Sequence, residues 1–159
     1  MRALCLGDCV VLHQPEVADL DDRVIAAAVD LRDGGRAPHI RSAVADLAPQ
    51  LRAHRALMNT EDGYWIAEPS GAGISHAQTA AFERGQVASA MLMTDGMSAI
   101  AELTGLSRSW EELAGRLASG DALSLMSDHA ELLDQDPDFD RFPRLKHRDD
   151  MTFLSGRLA

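Results

Sequence analysis

The stretch Ala90-Met91-Leu92-Met93-Thr94-Asp95-Gly96-Met97-Ser98 decides how the chain is read. A short apolar run bounded by turn residues has the pattern of a buried strand, and Asp-Gly is turn chemistry. A strand is therefore predicted over residues 87–94, with Asp95 at its end. A short helix follows over residues 97–103 and stops at Gly105. A second acidic pair, Asp149-Asp150, stands before another apolar run, Met151-Thr152-Phe153-Leu154, which reads as the closing strand. The expectation is that these two strand-end acids meet in space.

Between them the helical signals are strong. Ser109-Trp110-Glu111-Glu112 has the capping-box pattern, with Ser109 as the cap and Glu112 three residues on. Leu113 and Leu117 make its apolar face, and Gly120 ends it. Residues 121–133 predict another amphipathic helix, with Leu123, Met126, Ala130 and Leu133 facing inward. Asp134 to Arg148 is polar, holds two prolines and reads as a loop.

Upstream, residues 3–13 read as a strand interrupted at Gly7-Asp8. Gln14-Pro15-Glu16 reads as a turn, and Val17 to Leu20 as a returning hairpin strand. Asp21-Asp22 then caps a helix over residues 23–31, stopped at Asp33-Gly34-Gly35. Pro38 opens a second helical stretch, which Pro49 should kink or split. Asn59 to Gly63 is a turn, and Tyr64-Trp65-Ile66-Ala67 a short strand. The run from Ile74 to Phe82 fits either a strand fragment or a helical turn.

Composition narrows the function. The length of 159 residues fits one domain with a core of its own. With aromatics at 4 %, that core must be aliphatic and methionine-rich. The net charge is −10, which repels nucleic acid and anionic membrane and attracts divalent cations or a basic protein partner. Arginine supplies all the fixed positive side chains except Lys146. No apolar run approaches the ~20 residues of a membrane span, and no signal-peptide pattern follows Met1. On one strand Cys5 and Cys9 would stand ~13 Å apart, beyond the ~7 Å limit of a disulfide. Free thiols fit a cytoplasmic protein.

The motif search leaves the carboxylates. The six histidines make no His-Glu-x-x-His, there is no Cys-x-x-Cys, and zinc is not expected. No Gly-x-Ser-x-Gly, Ser-x-x-Lys or phosphate-loop pattern occurs. A receiver-type phospho-acceptor would need an early acidic pair and a lysine at a later strand end. Gly7-Asp8 supplies one acid, and Lys146 falls in a predicted loop. Asp95 and Asp149 suit Mg²⁺ or Mn²⁺, which take oxygen ligands and keep several waters. Two carboxylates ~4 Å apart repel by ~4 kcal/mol at an effective dielectric of 20, so a pair needs a cation or a shared proton. On spacing alone, a turn acid and a loop acid remain the competing reading.

In order, the pieces resemble a known family. Leu6-Gly7-Asp8-Cys9-Val10-Val11-Leu12 resembles the Gly-Asp-Ser strand of metal-dependent type-2C (PPM-type) serine/threonine protein phosphatases, with Cys9 in place of Ser. Leu92-Met93-Thr94-Asp95-Gly96 is similar to their [Ser/Thr]-Asp-Gly motif. Arg148-Asp149-Asp150-Met151-Thr152 is similar to their closing Asp-[Asn/Asp]-x-Thr strand. The runs from Asn59 to Trp65 and from Asp136 to Lys146 resemble a compact bacterial branch of that family.

The resemblance implies an α+β fold, an antiparallel β-sandwich flanked by helices. It implies two Mn²⁺ or Mg²⁺ ions at one end, and a metal-activated water, rather than a side chain, as nucleophile on phosphoserine or phosphothreonine. Asp95 and Asp149 would be metal ligands. Asp8 would tie its strand to a neighbour, and Gly96 and Asp150 would support the ligands from behind. The family's N-terminal third, with a phosphate-binding Arg and a metal-bridging Asp-Gly, has no counterpart before Ala3. The expectation is thus a single domain over 1–159 that lacks the N-terminal strands of the full αββα fold and is incomplete or inactive alone. Its partner would be a phosphoprotein substrate. A non-catalytic module binding a basic protein through its acidic surface is the alternative.

Overall fold

The computed structural model of the chain describes residues 15–65, 69–76 and 89–157. The strand expected over residues 3–13, with Cys5, Asp8 and Cys9, lies outside the described residues, as do residues 66–68 and 77–88. The described fold is mixed α+β, with six α-helices and one two-stranded antiparallel sheet among the described residues. The chain divides into two compact units, one of Val10–Thr79 with Asp138–Leu145, the other of Met1–Cys9, Ala80–Pro137 and Lys146–Ala159.

The first unit is helical. Helix α1 spans Pro15–Asp33, α2 Ile40–Asp46 and α3 Ala48–Arg55. Proline suits a helix start, because its missing N–H is not needed there and its φ is already helical. The expected hairpin strand over Val17 to Leu20 is therefore corrected, since these residues belong to α1. Asp21 and Asp22 lie within α1 rather than capping it. A four-residue strand gains little against a helix already nucleated, where each added residue brings one more backbone bond. Pro49 does split the next stretch: it sits in the first turn of α3, and Leu47 ends α2 and starts α3.

Ala28, Ala37, Ile40, Ala43, Val44 and Phe139 form this unit's core. Phe139 comes from the segment expected to be a loop, which carries neither helix nor strand after Asp134. Its backbone has a φ of 66°, rare for a bulky residue, yet its side chain is buried. The Arg144 guanidinium lies 4.1 Å from its ring centroid and that of Arg41 5.7 Å. The described part of the expected strand at Tyr64 is a single parallel bridge to Met58. Trp65 instead stacks on His76, with ring centroids 3.6 Å apart. Residues Ala72–His76 form a 3₁₀ turn, which settles the described part of the Ile74 stretch as helical.

The second unit holds the sheet. Strand β1 spans Ser89–Met93 and pairs antiparallel with β2, Phe153–Arg157, with Met93 opposite Phe153 and Leu92 opposite Leu154. The closing strand thus starts two residues later than the sequence predicts. Helices α4 (Asp95–Glu102), α5 (Trp110–Ala118) and α6 (Ala122–Asp134) complete the unit. Met97, Ile100, Leu113, Leu117 and Leu125 are its core, and Met91, Met93 and Phe153 pack against it.

Ser109 caps α5 by accepting from the Glu112 N–H at 3.1 Å. The Glu112 carboxylate reaches one residue further back than expected, to the Arg108 N–H at 2.9 Å. Gly105 follows α4 with a φ of 66°, the left-handed conformation common just past a helix end. In α6 the buried residues are Leu125, His129 and Leu133. Leu123 is 82 % exposed, against the inward position expected. Two residues of helix are about 200° of rotation, so a stripe phased on Leu125 and His129 turns Leu123 outward. No described helix is long and apolar enough to cross a membrane.

Candidate functional site

The sequence motifs around Asp95 and Asp149 meet in the sheet unit. Thr94 follows β1 and precedes α4, and its hydroxyl carries the junction. It donates to the Asp150 carbonyl at 2.7 Å and accepts from the Thr152 N–H at 3.1 Å. The Thr94 N–H donates to the Thr152 carbonyl at 3.0 Å. The segment entering β2 is thereby fastened to the residue beside Asp95, extending the ladder beyond its last pair.

Gly96 explains the next position. It is buried, and a Cβ there would lie 2.4 Å from the Asp150 carbonyl oxygen and 2.9 Å from the Asp149 Cβ. Only glycine lets the α4 backbone approach that closely. The approach brings Asp149 against the first turn of α4, whose first residue is Asp95.

The acids differ in environment. Asp95 is exposed, and one of its oxygens accepts from the Gly96 N–H at 3.0 Å. Asp149 is largely covered, with a side chain 19 % exposed. One of its oxygens accepts from the Asp150 N–H at 2.9 Å, and the other lies 2.5 Å from the Lys146 ammonium. Burial opposes ionisation of Asp149, but Lys146 and the Asp150 N–H outweigh it and hold its pKa below the usual carboxylate value. Lys146 is raised, first by its hydrogen bond to Asp149, with the charges of Asp149, Asp95 and Asp150 adding to it. Asp150 is exposed and contributes its backbone: the carbonyl receives Thr94 and the N–H serves Asp149. Asp8 lies outside the described residues.

Sequence reasoning missed Lys146 and the clamping role of Thr94. The available signal was Lys146 itself, the sole lysine, three residues before Asp149. A salt bridge of two loop residues has no periodic pattern to announce it.

Among the described residues, no three His, Cys, Asp or Glu side chains gather as a metal-holding group. The donor set at Asp95 and Asp149 is nonetheless one that a hard divalent cation accepts, since Mg²⁺ is commonly held by one or two carboxylates with water filling the remaining positions. The Lys146 ammonium already supplies positive charge at Asp149, and Gly96 lets the α4 backbone pack directly onto Asp149-Asp150. Asp95 and Asp149 would hold such an ion, while Thr94, Gly96 and Asp150 fix the backbone around them. Comparison of the chain with protein-family models, with curated proteins and with solved structures gives no match.

Proposed function

We propose that the chain carries the metal-binding end of a PPM-type protein serine/threonine phosphatase domain. One observation supports this most: the Gly96 backbone packs onto Asp149-Asp150, bringing the Thr94-Asp95-Gly96 and Asp149-Asp150-Met151-Thr152 motifs to one place. On this reading β1 and β2 belong to a larger antiparallel β-sandwich. Asp95 and Asp149 hold Mn²⁺ or Mg²⁺, which supply Lewis acidity for phosphoryl transfer to water. The substrate is a phosphoprotein and the compartment the cytoplasm.

The Lys146–Asp149 pair favours a second reading, a phosphatase-like module that binds without catalysing. An internal ammonium already neutralises one of the two acids, and two carboxylates hold fewer charges than a two-metal centre requires. We therefore propose that this chain alone is inactive or nearly so.

The test combines Mn²⁺ binding with hydrolysis of p-nitrophenyl phosphate, using the 159-residue chain with Asp95→Asn and Asp149→Asn. The expected result is Mn²⁺ binding weakened by either substitution, with hydrolysis at or near background. Robust Mn²⁺-dependent turnover lost in Asp95→Asn would overturn the inactive reading and support the phosphatase. Binding indifferent to both substitutions would overturn the metal site itself.

A further inference from the structure

The segment from Asp138 to Leu145 has neither helix nor strand, yet it closes the start of α2. The first N–H groups of a helix have no partner inside it. Here the Ile40 N–H donates to an Asp140 carboxylate oxygen at 3.0 Å, and the Arg41 N–H to the Asp138 carbonyl at 2.9 Å. Between the two acids stands the His39 imidazole. We propose that His39 is a pH-operated clasp on this segment, holding Asp138 and Asp140 together when charged and letting Asp138 go when neutral. The clasp lies within the helical unit and does not depend on the phosphatase reading.

The geometry gives the ring one acid at each nitrogen. Nδ1 lies 2.7 Å from Asp140 and Nε2 3.9 Å from Asp138. An imidazolium donates from both nitrogens, whereas a neutral imidazole has a proton on one and a lone pair on the other. The closer contact keeps the proton on Nδ1, so loss of charge turns the Nε2 lone pair toward the Asp138 carboxylate. An attraction becomes a repulsion. Asp140 stays held by the Ile40 N–H and by Arg32 of α1, which donates to its carbonyl at 3.3 Å. The His39 backbone stays too, since its N–H donates to the Ser42 hydroxyl and that hydroxyl donates to its carbonyl. The charged groups around the clasp are Asp138 and Asp140 of the segment, Arg32 of α1, itself paired with Asp33, and Arg41 of α2, which lies over the Phe139 ring. The acids prevail and raise the His39 pKa above its ordinary value, first through the hydrogen bond to Asp140.

Phe139 lies between the two acids with a φ of 66°. Backbone of this kind persists where its surroundings over-determine it. Release at Asp138 removes the fastening on one side of that residue and leaves the other. A raised histidine is charged below its folded pKa, so the clasp is closed there and opens as pH rises through that value. An ion pair exposed to water shifts a local equilibrium about two- to fivefold.

The experiment is amide hydrogen exchange by NMR on the 159-residue chain, in wild type, His39→Gln and Asp138→Asn. It runs from about pH 5.5 to about pH 8.5, which brackets the histidine range. Each rate is corrected for the intrinsic pH dependence of exchange, and circular dichroism shows that each protein is folded. The ratio of Arg41 to Ile40 protection is read, because neighbouring amides share every global opening. The ratio should fall about two- to fivefold with rising pH in wild type and stay flat in both variants. Titration of the His39 ring gives a second readout: its pKa should fall in Asp138→Asn, which removes one of the two acids. A ratio independent of pH in wild type would overturn the clasp. So would an Asp138→Asn protein that keeps the wild-type pH dependence or the wild-type His39 pKa. Parallel loss of protection at both amides would also overturn it, since that is a loosening of α2 rather than release at Asp138. Should His39→Gln fail to fold, Asp138→Asn decides by itself.

Discussion

The Thr94 hydroxyl is bonded to both sides of a segment more than fifty residues away, donating to the Asp150 carbonyl and accepting from the Thr152 N–H. A hydroxyl can do both because it has one proton and two lone pairs. Valine has nearly the same shape and can do neither. Thr94→Val should cost about 1–2 kcal/mol, because two backbone groups lose their partner at a partly covered site. Thr94→Ser should recover most of it. Urea unfolding at constant m-value measures both, and equal stability of all three proteins would refute the clamp.

Gly96→Ala tests the close approach. The added Cβ collides with backbone at Asp150, which has no flexible end to bend away. Overpacking of this kind costs about 1–3 kcal/mol. The strand entry should shift and carry Asp149 with it, so Mn²⁺ binding should weaken along with stability. A variant as stable as wild type, with unchanged binding, would mean that the two segments are not in contact.

In the helical unit, Asp140 caps α2 from a distant part of the chain. It accepts from the Ile40 N–H at 3.0 Å and from His39 Nδ1 at 2.7 Å. Arg32 lies 3.6 Å from it, and Asp138 lies 3.9 Å from the other His39 nitrogen. The hydrogen bond that His39 donates to Asp140 raises the His39 pKa against a smaller opposing effect of desolvation. Burial opposes ionisation of Asp140, but His39, the Ile40 N–H and Arg32 together hold its pKa below the usual value. A raised histidine contributes stability that is full below its unfolded value of about 6.5 and fades as pH climbs through the folded value above it. A lowered aspartate contributes stability above its unfolded value of about 3.9, lost as pH falls through the folded value.

The pair therefore stabilises this unit most between those limits. Trp65 belongs to this unit and Trp110 to the other, so Trp110→Phe leaves a single tryptophan reporter. In that background, the melting temperature by Trp65 fluorescence should decline as pH rises through the range above 6.5. The same decline should be reduced in His39→Gln. An identical pH profile for the two proteins would refute the linkage.

Phe139→Ala should be the most destabilising of these substitutions, at about 3–4 kcal/mol. It empties a buried position in the helical core and removes the ring between Arg41 and Arg144. Phe139→Leu refills part of the volume and should cost less. Thermal unfolding followed by Trp65 in the Trp110→Phe background checks both.

Local chemistry made several features legible before any fold was known. The apolar run into Thr94-Asp95-Gly96 announced a strand followed by a helix, because side-chain pattern and turn chemistry agree there, although α4 starts at Asp95, two residues before the expected Met97. Pro49 and Ser109 marked helix boundaries through backbone donors that each removes or satisfies. The phase of α6 was less legible, since Leu123 fits an apolar stripe as well as Leu125 does. Which one turns inward depends on what the helix packs against. The start of α1 failed for a related reason: Pro15 suits a turn or a first helical turn, and the choice is made by whether the helix continues.

The sequence by itself determined the two acidic motifs beside the strands, the Ser109 helix cap and a net acidic charge with a single lysine. These follow from residue type and from spacing of a few positions. Tertiary structure alone decided that Gly96 lies against Asp149, that Asp140 caps α2, that Phe139 fills a helical core and that Lys146 neutralises Asp149. Three of these join residues far apart in the chain, and the fourth joins neighbours in a segment without periodicity. In each case partners are chosen by backbone approach and desolvation, and neither leaves a local pattern in the sequence.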